Sequence, residues 1–70
     1  MMNREKILEK IKELNSLRAR YNRNFKVIQD KYNHNEMSDK EFKKHESSFH
    51  KNYDKVRYEI QELERKLKEL

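Results

Sequence analysis

Asn33-His34-Asn35-Glu36-Met37-Ser38 is the one stretch of this 70-residue chain whose local chemistry argues for ending one helix and beginning another. Ser38, followed three residues later by Glu41, is a capping box. In such a box the serine hydroxyl accepts an orphan amide at the helix start, and the glutamate carboxylate reaches back to the serine amide. Met37, just before the cap, and Phe42, at the fourth helical position, have the spacing of a hydrophobic staple that fixes the angle of entry. Asn33, His34 and Asn35 read as the helix stop that precedes it. The stretch therefore divides the chain into helix 1 at about 3–33, a turn at about 34–38 and helix 2 at about 39–70.

Upstream of the turn, Ile7, Ile11, Leu14, Tyr21, Phe25, Ile28 and Tyr32 keep a four-three spacing, broken once where Arg18 takes an apolar slot. Downstream, the same spacing runs through Phe42, Phe49, Tyr53, Val56, Ile60, Leu63, Leu67 and Leu70, with Glu46 as its one polar slot. Each is a heptad seam. Folded back at Met37, the two seams pair by residue number. Tyr32 faces Phe42, Phe25 faces Phe49, Tyr21 faces Tyr53, Leu14 faces Ile60, Ile11 faces Leu63 and Ile7 faces Leu67, every pair with the same sum of numbers. The turn end of this seam is aromatic and the terminal end aliphatic. The fold expected is all-α: a two-helix antiparallel coiled-coil hairpin forming a single helical-hairpin domain over residues 1–70.

A lone hairpin gives each seam residue a partner on one side only. Full burial of a large apolar side chain yields roughly 1.5–3 kcal/mol, while ordering each residue's backbone costs about 1–2 kcal/mol, so half-burial leaves such a hairpin marginal. Leu8 and Leu17 lie just outside the seam and widen the apolar face, as in helices that touch more than one neighbour. A homodimer, most simply a four-helix bundle, is expected. Arg18 falls opposite Val56 and Glu46 opposite Ile28, so the two do not pair directly within one hairpin. Charges in a seam commonly set register or oligomer state, and in a dimer these two could meet across subunits.

Charged residues make up 44% of the chain and hydrophobic ones 33%, a balance near that of disordered proteins, but the heptads decide for helices. Glycine and proline are absent, which removes the strongest helix breakers and leaves no residue suited to a tight turn at positive φ. Cysteine is absent as well, so there is no disulfide framework, thiolate metal site or cysteine nucleophile. The start of the chain leads into no long apolar run. Neither a signal peptide nor a membrane span is expected, and the location expected is cytoplasmic.

The net charge of +5 is unevenly placed. Residues 1–33 carry the whole excess, and between Glu13 and Asp30 no acid stands beside Arg18, Arg20, Arg23 and Lys26. Arg20, Arg23 and Lys26 on the outer face of helix 1, with Lys44 and Lys51 on that of helix 2, form an array able to neutralise phosphates, or an acidic partner, and release condensed counterions. The blander reading is a lysine-rich face that keeps a coiled coil in solution. Tyr58 is the one aromatic clearly outside the seam and the better candidate for a contact. In length and architecture the chain resembles the Rop type of plasmid regulator, a helical-hairpin dimer that binds RNA through its helix faces; the likeness implies DNA or RNA as an alternative partner.

Other chemistry finds little support. His34, His45 and His50 lack metal-ligand spacing, and no HExxH pattern occurs. Ser38 is accounted for by capping, Ser47 and Ser48 have no acid-base pair near them, and no glycine-rich loop can hold a nucleotide. Catalysis, cofactors and metals are not expected. Met37-Ser38-Asp39-Lys40-Glu41-Phe42 resembles the opening of the short SHOCT-type helical modules, with Asn35 where those carry glycine, and helix-cap chemistry accounts for the likeness. The reading is a small non-enzymatic protein-interaction or regulatory module built on a self-associating hairpin.

Overall fold

In the computed structural model, which describes residues 3–70, α1 runs Arg4–Asn33 and α2 runs Asp39–Lys68. The two helices of 30 residues each pack against one another as a hairpin, and no strand occurs among the described residues. Residues 1 and 2, part of the start over which no signal peptide is expected, lie outside that range.

Both helices begin on a side-chain cap. Asn3 Oδ1 accepts from the Lys6 amide at 2.9 Å, and Ser38 Oγ accepts from the Glu41 amide at 3.2 Å. The serine half of the expected capping box is thus formed. Its reciprocal half, the Glu41 carboxylate on the Ser38 amide, is not among the hydrogen bonds of the described residues. Met37 and Phe42, the expected staple, are both half-buried.

The turn corrects one expectation. Asn35 sits at φ 59°, in the left-handed region that the absence of glycine had argued against. Asparagine is the residue that enters this region most readily after glycine. Its amide donates to the Tyr32 carbonyl at 3.1 Å, and the Glu36 amide donates to the Lys31 carbonyl at 2.9 Å. These two bonds are a Schellman motif, which satisfies the carbonyls left unpaired at the end of α1. The Tyr32 hydroxyl then donates to Asp39 at 2.5 Å, tying the last turn of α1 to the first residue of α2.

Along the hairpin the packing is uneven. Ile7, Leu14, Val56, Ile60 and Leu63 are buried, with Ile11, Leu17, Tyr21 and Leu67 packed against them. This is the expected aliphatic end. Toward the turn two of the three expected aromatic pairs are present as stacks, Tyr32 on Phe42 with ring centroids 4.2 Å apart and Phe25 on Phe49 at 4.4 Å, while Tyr21 packs against the aliphatic cluster and makes no ring contact with Tyr53 among the described residues. Tyr53 lies tilted against Phe49, while Phe25 also reaches Phe42 at 5.9 Å. None of these rings is fully buried. The whole is a rod whose Cα atoms span 50 × 15 × 15 Å.

Candidate interaction surface

The basic residues singled out from the sequence do not converge. Arg23 lies two residues from both Tyr21 and Phe25, and Lys51 two from both Phe49 and Tyr53, so each projects from the back of its helix. Arg20, Arg23 and Lys26 belong to the back of α1. Lys44 and Lys51 belong to that of α2, while Tyr58 borders a shallow groove that Lys10 of α1 also lines. All six are exposed, and the two faces point away from one another. Ion pairs among the described residues join only Arg57 to Asp54 and Arg65 to Glu62 and Glu69. Arg20, Arg23, Lys26, Lys44 and Lys51 are therefore free of carboxylate partners among those residues. Arg20 nonetheless shares a shallow surface with Glu9 and Glu13, so its surroundings in space contain acids that the sequence window had excluded.

Neither seam charge is buried. Arg18 is half-buried, and its guanidinium donates to Asn15 Oδ1 at 2.8 Å; Glu46 is exposed. Val56, which faces the Arg18 slot, is buried all the same, and Leu17 is among the residues packed against its cluster. Leu17 thus helps to close the core where Arg18 leaves a gap. Leu8, the other residue expected to widen the face, is exposed.

The three histidines go separate ways. His34 caps α1, its Nδ1 2.6 Å from the Asp30 carbonyl. His50 sets its ring edge-on to Phe49, with centroids 5.4 Å apart. No group of three histidine, aspartate or glutamate side chains among the described residues is placed to hold a metal ion.

His45 lies where sequence reasoning missed a surface. With Tyr21, Asn24, Phe25, Ile28 and Phe49 it lines an open, mainly apolar groove between the helices at the turn end of the rod. The heptad pattern marks these aromatic slots as core. The signal overlooked is Asn24 and His45, uncharged residues flanking the aromatic slots of Tyr21, Phe25 and Phe49.

Two titrations depart from their ordinary values. The hydrogen bond to Asp39, and then that carboxylate's charge, raise the Tyr32 phenol. The hydrogen bond to Glu62, 2.6 Å away, and its charge, with that of Glu69, raise Arg65. Neither group lies in the groove. No described helix is long and apolar enough to cross a membrane. Comparison with protein-family models, with curated proteins and with solved structures finds no match for this chain.

Proposed function

We propose that this chain is a non-enzymatic, self-associating helical hairpin of the cytoplasm that acts as a protein-interaction or regulatory module. The observation that carries the reading is the incomplete core. Five hydrophobic residues are buried among those described, all of them in the terminal half (Ile7, Leu14, Val56, Ile60 and Leu63), while the stacked rings of Phe25, Phe42 and Phe49 remain half-covered. Burial supplies most of the stabilisation of a small domain, and a rod of this kind gains it by adding a second layer of helices. Light scattering across a concentration series tests the reading. A mass of twice 8.8 kDa at micromolar concentration is expected, and a folded single chain at every concentration would sink it.

A nucleic-acid-binding dimer is the second reading, supported by the unpaired Arg20, Arg23, Lys26, Lys44 and Lys51 and by Tyr58, which is 63% exposed. The placement of the five cations on the outer sides of both helices favours binding along a wide footprint over one compact patch. Binding to DNA and RNA in a salt series separates the two readings. Micromolar affinity that falls steeply with salt and is lost when Arg20 and Arg23 are both replaced by Glu supports nucleic acid. No binding near physiological salt removes it.

A further inference from the structure

The two sides of the hairpin differ in charge, and the difference selects one of them. On the groove side, Leu14, Leu17, Tyr21, Asn24 and Ile28 follow one another at steps of three, four, three and four along α1. His45, Phe49, Asn52 and Val56 do the same along α2 at steps of four, three and four. This is a second heptad seam on each helix. It shares Leu14, Tyr21, Ile28, Phe49 and Val56 with the seam that closes the hairpin. Over this stretch neither helix places a charged residue on it.

A second open groove continues the same side toward the termini, between Lys10 on α1 and Tyr58, Glu59, Glu62, Leu63 and Lys66 on α2. The charges of this face therefore stand at its ends. On the other side the corresponding slots hold Asn15, Arg18, Asn22, Phe25 and Gln29 on α1 and Glu46, His50, Tyr53 and Arg57 on α2. Three charges interrupt the middle there. In a chain that is 44% charged, a charge-free middle on both helices at the same level is the composition of an interface core, from which charged residues are depleted.

We infer that this groove face is the surface through which two copies of the chain pack, with Asn24, Asn52 and His45 as the polar groups they share. This rests on the reading of the chain as self-associating and names the face. Two features commit the face to a second copy. A nucleic acid or an acidic protein would find no cation in its middle. Carboxamide and imidazole groups each offer both a donor and an acceptor, so the face can satisfy itself across a two-fold axis. Arg18 and Glu46, which the sequence alone allows to meet across subunits, then lie on the far side of the contact.

Matched substitutions test the face. Asn24→Glu with Asn52→Glu places carboxylates in the middle of the groove face; Asn15→Glu with Asn22→Glu makes the same change of charge on the other side. All four asparagines are exposed in the hairpin. The groove pair is expected to weaken dimerisation about a hundredfold, as like charges juxtaposed in an interface do, with helical circular dichroism retained and the control pair unchanged. Loss of the dimer in the control pair alone keeps self-association and overturns this face. A wild-type chain that is monomeric throughout overturns both. A gentler probe covers the case in which the glutamates unfold the chain. In this cysteine-free protein, a nitroxide on Asn24→Cys should read a shorter distance between copies than one on Asn22→Cys, and the reverse order overturns the proposal.

Discussion

Asn35 and Ser38 end one helix and start the next within four residues, and each does so with a single side chain whose loss is measurable. At φ 59° Asn35 stands in a conformation that costs an ordinary residue with a Cβ roughly 1–2 kcal/mol and asparagine less. Asn35→Ala should destabilise the chain by about 1 kcal/mol, whereas Asn35→Gly should leave it unchanged or slightly more stable; equal urea midpoints for both would remove the left-handed turn. Ser38→Ala deletes the bond to the Glu41 amide and should cost about 1 kcal/mol, read in the same denaturation. Tyr32 adds a pH dependence. Its phenol donates to Asp39, which holds the pKa above the ordinary 10.0 in the folded chain. A raised folded value favours the fold fully below the unfolded pKa, and the contribution disappears as pH rises through the folded one. The stability difference between wild type and Tyr32→Phe should therefore be steady at neutral pH and change only in the alkaline range above about pH 10. A difference that stays constant through that range would show that the hydrogen bond contributes nothing to linkage.

At the level of the helices, much of the fold was legible because heptad spacing and cap chemistry are local. Boundaries at Asn33 and Ser38 follow from a stop and a cap, and the stacks of Tyr32 on Phe42 and Phe25 on Phe49 fall where folding back at Met37 places them. What the spacing could not convey is size. It treats Phe25 and Ile60 as equal apolar slots, yet side chains set how closely helices approach. The aliphatic end buries its residues and the stacked aromatic end stays half-open. That opening is where the groove lies, and so the candidate surface was not legible although its residues were. Leu63→Ala at the closed end should cost about 2–5 kcal/mol, measured by urea denaturation; a loss well under that range would mean that this end is not tightly packed. Arg18→Leu probes the remaining irregularity. Leucine would complete the seam beside Val56 and should raise stability by about 1 kcal/mol with the oligomeric mass unchanged, because Arg18 lies away from the groove face. A change in mass would give Arg18 the register role its heptad slot first suggested.

For the molecule as a whole, charge opposes the association proposed for it. Every copy carries +5, so two copies held about 10 Å apart repel through their unpaired cations, and the repulsion is felt over roughly 30 Å at 0.01 M salt but only about 10 Å at 0.1 M. The attraction comes from the uncharged middle of the groove face and is little affected by screening. Adding salt from about 0.01 to 0.3 M should therefore tighten self-association, since only the opposing contribution is screened. Phosphate binding by Arg20, Arg23 and Lys26 would respond in the other direction, because counterions released on binding compete more strongly as salt rises. Sedimentation of the protein alone and titration of DNA or RNA across the same salt series should thus give slopes of opposite sign. A dimer that dissociates as salt is added would place cross-copy ion pairs in the interface, and would overturn a contact held by an uncharged middle.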